Sequence, residues 1–103
     1  MIVTKDVILA AVASELGLTV AVLKSRQRSK AIARGRQAAM FLCHKHGHSN
    51  SSTARYFDVD HSTVIHAVQR IRQLLGPEDR SFVAAINRAD AMFIKEVVPE
   101  CPP

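Results

Sequence analysis

Apolar residues recur along this chain at three- and four-residue steps, the spacing of one face of an α-helix, with almost no sign of strand alternation. Thr4 can cap a first helix carrying Val7, Ile8, Ala11, Val12 and Leu16, and Gly17 can end it. Thr19 can cap a short second helix through Leu23. The polar, basic stretch KSRQRSK, Lys24 to Lys30, reads as an exposed loop. A third helix, about Ala31 to His46, has the nearly continuous apolar run AAMFLC at its centre. A helix apolar over so much of its circumference is the central, most buried one, and Gly47 is placed to cap it.

HSNSS is a turn rich in capping residues, and a short helix follows from about Ser51 to Phe57. FDVD makes a tight connection to a helix from Ser62 to Leu75. That helix carries a core stripe of Val64, Ala67, Val68, Ile71 and Leu75, and Gly76-Pro77 stop it. A last helix, about Asp79 to Glu96, offers Phe82, Val83, Ile86, Ala89, Phe93 and Ile94 to the same core. The pattern predicts an all-α fold: one compact six-helix domain over residues 1–96 and a frayed tail over 97–103.

Composition narrows the class. At 103 residues and 48% hydrophobic, the chain can bury one modest core and is not disordered over most of its length. No apolar run approaches the ~20 residues of a membrane span. The opening segment lacks a basic start and is interrupted by Lys5, Asp6 and Glu15, unlike a signal peptide. The two cysteines, Cys43 and Cys101, lie far apart, which fits a reducing, cytoplasmic setting.

The net charge of +5 matters less than its distribution. No acidic residue lies between Glu15 and Asp58. That stretch carries Lys24, Arg26, Arg28, Lys30, Arg34, Arg36, Lys45 and Arg55, with His44, His46 and His48 besides. Fixed positive charges gathered on one folded surface repel each other. A polyanion relieves that repulsion and releases its own counterions. Nucleic acid is the first partner to expect, ahead of an anionic membrane or an acidic protein, and the competing reading is a merely solvated basic face.

A short helix, a tight turn and a longer helix have the outline of a helix-turn-helix, in which the second helix presents its N-terminal end to the major groove. Here that helix opens with DHST, short polar side chains where one or two would suffice as a cap. Helix N-termini attract phosphate through unpaired N–H groups and a partial positive charge. Asp60 can cap the helix and accept from a cytosine amino group. His61, Ser62 and Thr63 can donate or accept at base edges, and the Thr63 methyl can touch a thymine methyl. Taken singly, each could equally be a cap or an exposed bystander. Together, beside an acid-free basic tract, they suit a reading surface.

SRQRSKAIARGRQAAMFL followed by DHSTVIHAVQRI resembles the C-terminal DNA-binding domain (domain IV) of the bacterial chromosomal replication initiator, DnaA. Ala33, Arg34, Arg36 and Gln37 match the motif that opens that family's central helix. Asp60, His61, Ser62, Thr63, Val64, His66 and Ala67 match its recognition-helix signature, and the likeness runs from roughly Lys5 to Leu75. The resemblance implies a six-helix fold related to the Trp-repressor type of helix-turn-helix, binding a short asymmetric duplex box. It implies Arg28 in the minor groove and Asp60, His61, Ser62 and Thr63 in the major groove. Arg34, Arg36, the Asn50-Ser51 turn and Arg70 would hold phosphates. With Arg26, Lys30 and His66, these form the candidate DNA-binding set.

The chain also departs from the family pattern. Asp58-Val59 stands where Gly-Gly and a basic residue are usual, one residue shorter. Asn50 to Ala54 replaces Leu-Pro-Glu-Ile-Gly, Gly35 replaces a common proline, and Gln27 a common base. These departures bear on the preferred DNA sequence rather than on the fold.

No phosphate-loop pattern occurs and the chain has only four glycines, so no nucleotide cofactor is expected. With Met1 as its start, the chain would be a freestanding DNA-binding domain without the family's ATPase part. It would act in replication initiation or transcription at initiator-type boxes, with other replication or transcription proteins as further partners. The alternative is a regulator of phage or plasmid type with other or no sequence preference. CHKHGH gathers Cys43, His44, His46 and His48, but residues two apart diverge on a helix. Cys43 is expected in the core, and the histidines at the helix end or on phosphate. His61 and His66 are five apart, not four, and no paired carboxylates or nucleophile motif supports catalysis. A last class, a docking module built on the final helix, competes with the simpler role of Phe82, Ile86 and Phe93 in the core.

Overall fold

Hydroxyl caps divide the chain into its helices. The Thr4 hydroxyl accepts from the Val7 N–H at 3.3 Å and opens α1 (Lys5–Leu16); Gly17, at φ 69°, closes it. The Thr19 hydroxyl accepts from Val22 at 3.1 Å and opens α2 (Val20–Lys24). Ser29 caps α3 (Lys30–Lys45) by accepting from Ile32 at 3.2 Å, and Ser49 caps α4 (Asn50–Phe57) by accepting from Ser52 at 3.0 Å. Then follow α5 (His61–Gln73) and α6 (Arg80–Val97). The computed structural model describes residues 3–25, 29–73 and 80–97, with side chains in α6 as far as Met92. Leu75, Gly76-Pro77 and the side chains of Phe93 and Ile94 therefore lie outside the described residues.

Gly47 ends α3 as expected, at φ 94°. Its N–H donates to the His44 carbonyl at 3.1 Å while the His48 N–H reaches back to Cys43 at 3.0 Å. This paired closure satisfies carbonyls that the helix end leaves open. Several boundaries differ by one residue from the sequence reading: α2 ends at Lys24, α3 at Lys45 and α6 at Val97. α3 starts at Lys30 and α4 at Asn50, each one residue earlier than expected, because Ser29 and Ser49 are the caps.

α3 is the hub, packing against α1, α2, α4 and α5, and α6 closes over α1. Its Ala38, Ala39, Met40, Leu42 and Cys43 are buried, as its apolar run predicts. In α5 the predicted stripe of Val64, Ala67, Val68 and Ile71 is buried. In α6 Ala85, Ile86 and Ala89 are buried, while Phe82 and Val83 are half-buried. α1 corrects the expected stripe: Leu9 and Ala13 are buried and Val7 is exposed. Sandwiched between α3 and α6, this helix buries a broader face than a single apolar stripe provides.

Gly35 lets α2 approach α3 closely, since a Cβ there would lie 2.7 Å from Cδ2 of the fully buried Leu23. On the other side of the domain, the Arg88 Nε donates to Glu15 at 2.7 Å and ties α6 to α1. Asp90, buried on α6, receives Lys45 Nζ and His46 Nε2, each at 2.5 Å. Burial alone would raise the Asp90 carboxyl. The hydrogen bonds and charges of Lys45 and His46 outweigh it and hold the carboxyl below its usual range.

Candidate nucleic-acid interface

α4, a three-residue turn and α5 form the helix-turn-helix. The turn depends on Asp58, which adopts φ 58° and closes α4. Its N–H donates to the Arg55 carbonyl at 3.2 Å and the Val59 N–H to Ala54 at 2.9 Å, the same paired closure that ends α3. Aspartate is among the few residues with side chains that enter the left-handed region at modest cost. The chain therefore turns without the glycines usual at this point. Beneath the turn, Thr53, Ala54 and Phe57 of α4 are buried with the apolar stripe of α5.

The Asp60 carbonyl accepts from the Thr63 N–H at 3.0 Å, so α5 begins at His61, one residue before the expected start. Asp60, His61, Ser62 and Thr63 are all exposed, at the N-terminal end of the helix. Beside them runs an open groove of about 380 Å³ between α3 and α5. On the α3 side it is lined by Arg36 and Gln37, on the α5 side by Thr63, His66 and Arg70, with Met40, Ala67 and Val59 besides.

The candidate cations have different surroundings. Lys30 is exposed at the start of α3, and Arg70 is exposed on α5. The Arg34 guanidinium lies 5.4 Å from the centroid of the Phe82 ring. Arg36 Nε donates to the Leu23 carbonyl at 2.9 Å and its Nη2 to the Ser25 carbonyl. It thus fastens the C-terminal end of α2, immediately before residues 26–28, to α3. Arg26 and Arg28 fall within those three residues, which lie outside the described ones. At α4, Asn50 receives the His44 Nδ1 proton at 3.3 Å and Ser51 is exposed.

Sequence reasoning missed a second gathering of charge. Lys24 Nζ lies 4.3 Å from the centre of the Tyr56 ring, and Lys5 Nζ lies 5.9 Å from it while donating to the Ser52 hydroxyl at 2.8 Å. The Tyr56 hydroxyl donates to Asp6, and burial together with that carboxylate raises the phenol well above its ordinary range. No periodicity links Lys5, Lys24 and Tyr56, so only the folded arrangement of α1, α2 and α4 reveals them.

The residues of CHKHGH go separate ways. Cys43 is buried, and desolvation pushes its thiol up to about 12 against the opposing charge of Lys5. His44 turns to Asn50, His46 to Asp90, and His48 Nε2 donates to the Val3 carbonyl at 2.5 Å. Among the described residues, no three His, Cys, Asp or Glu side chains converge as a metal site would require, and no helix is long and apolar enough to cross a membrane.

Residues 5–71 match the family described as the bacterial DnaA protein helix-turn-helix. The chromosomal replication initiator protein DnaA of Geobacter sulfurreducens is 38% identical over 78 residues, covering 74% of this chain and 18% of that protein. The Caulobacter vibrioides initiator is 43% identical over 74 residues, 70% of this chain and 15% of its own length. That of Wolbachia pipientis is 36% identical over 93 residues, 88% of this chain and 20% of its own. The chain thus spans about a fifth or less of each of these relatives. It belongs to the bacterial DnaA helix-turn-helix family, a family of DNA-binding domains.

Proposed function

We propose that this domain reads a short duplex box of the initiator type, with the first turn of α5 in the major groove and the basic segment around Arg28 in the minor groove. The observation that carries the reading is the exposed stretch Asp60 to Thr63, beside a groove whose two walls carry Arg36 and Arg70. The stretch supplies donors, acceptors and a methyl for base edges. The cationic walls and the N-terminal end of α5 attract the phosphates on either side. Because the relatives are chromosomal replication initiators, the sites proposed are those that govern replication initiation or transcription near such boxes. Nothing in this mechanism calls for catalysis by the chain itself.

Fluorescence anisotropy of a labelled duplex carrying an initiator-type box, against a scrambled duplex of equal length, tests the reading. The box should bind more tightly by a factor of about 10³ or more. His61→Ala and Arg28→Ala should each cost about 1–3 kcal/mol on the box alone. Equal and steeply salt-dependent binding to both duplexes would overturn the sequence preference and leave a backbone-directed DNA binder.

A further inference from the structure

Val59 occupies the corner between α4 and α5. Its N–H is bonded to the Ala54 carbonyl at 2.9 Å and the preceding residue holds the left-handed conformation that ends α4. A helix end therefore fixes its backbone. The side chain is nevertheless 37% exposed, and among the described residues the other exposed large apolar side chain is Val7, on α1. Val59 also lines the groove, together with Thr63 of the polar stretch.

Position alone suggests one structural use. A residue just before a helix cap can pack on the residue four places after the cap, here Val64, and fix the angle of entry. Val64 is fully buried, so that contact can use only the inward side of Val59. The outward side is an apolar, backbone-anchored surface beside four side chains suited to base edges. It offers no hydrogen bond. In the major groove, the apolar feature that distinguishes one base edge from another is the C5-methyl of thymine.

We infer that Val59 is a specificity-determining residue, packing its isopropyl group against a thymine methyl at the edge of the site read by Asp60 and Thr63. This rests on the reading that the first turn of α5 enters the major groove. The contact adds discrimination for thymine over uracil and over cytosine, independent of any hydrogen bond.

The test begins with the tightest-binding duplex recovered from a random-sequence pool. Each thymine is replaced in turn by deoxyuridine, which removes the methyl and leaves every hydrogen-bonding group in place. At one position the unsubstituted protein should bind the uracil duplex about fourfold more weakly. Val59→Ala should bind the thymine duplex more weakly by a similar factor and show no further loss with uracil. Val59→Ile, which keeps the inward contact, should retain the uracil penalty and guards against a folding defect in the alanine variant.

If Val59 serves only the helix entry, Val59→Ala will lower the melting temperature and weaken both duplexes alike, with the methyl effect unchanged. That result, or a site at which no uracil weakens binding, overturns the inference while the major-groove reading stands. A pool that yields no preferred sequence overturns both.

Discussion

The two halves of α3 are fastened to the domain by different chemistry. At the C-terminal end, Lys45 and the capping His46 meet a carboxylate, Asp90, which α6 carries into a buried position. In the N-terminal half, Arg36 meets backbone carbonyls of Leu23 and Ser25. A carboxylate neutralises the cation it binds, whereas a neutral carbonyl only orients it. The first arrangement suits a structural tie. The second aligns a cationic side chain and holds α2 while leaving the positive charge un-neutralised by those partners. Within the acid-free run from residue 16 to 57, Lys45 and His46 are thus paired with an acid from outside it, and Arg36 with carbonyls inside it.

The largest effect should come from breaking the carbonyl tie. Arg36→Ala removes two charge-assisted hydrogen bonds and should cost about 1.5–3 kcal/mol of stability in urea unfolding, with at least about a tenfold loss of box affinity. Arg36→Lys should restore little of either, because one ammonium cannot match the planar fork that reaches both carbonyls. If Arg36→Ala instead left stability untouched and only reduced the salt dependence of binding by about one counterion, Arg36 would be a plain phosphate contact and the contrast between the two halves would fail.

Asp90→Asn tests the other half. It should cost about 1–2 kcal/mol, a figure kept low because half of the Lys45 side chain is in solvent, and it should leave box affinity within twofold. The sign of its pH dependence follows from the depressed Asp90 carboxyl. A carboxyl lowered on folding stabilises the native state above its unfolded value of about 3.9. That contribution disappears as the pH falls through the folded value. Unfolding midpoints of the unsubstituted protein and of Asp90→Asn should therefore differ at neutral pH, begin to converge below about pH 4 and meet only below the folded value. A gap that did not narrow at all as the pH fell through the acid range would mean the carboxylate is not what holds α6.

The same contrast explains what could be read from the sequence. Thr4, Thr19, Gly17 and Gly47 act within a few residues of themselves, so capping rules locate them. The buried stripes of α3 and α5 follow from local spacing. The DHST stretch stands out in the sequence because four polar residues at a helix start exceed what capping needs, and in the fold all four are exposed. The carbonyl partners of Arg36 could not be read, because they are met only once α2 lies against α3. Asp90 with His46, and Tyr56 with Asp6, are pairings across 44 and 50 residues. No periodicity carries such information. In α1 the pattern misassigned Val7 and Leu9 because three neighbours, α2, α3 and α6, cover that helix.

The smallest expected effect concerns α4, the helix packed against α5. Thr53 is buried in α4, and its hydroxyl has no hydrogen-bond partner among the described residues. An apolar side chain would fill that position without the cost of desolvating a hydroxyl. Thr53→Val keeps the branched shape and removes that cost, about 1 kcal/mol, which corresponds to a rise in Tm of about 4–8 °C for a domain of this size. Box affinity should stay unchanged, because Thr53 faces the core while the exposed stretch lies on the next helix. If Thr53→Val left Tm unchanged but weakened DNA binding, the hydroxyl would be serving the interface through the turn. The division between a supporting α4 and a reading α5 would then have to be redrawn.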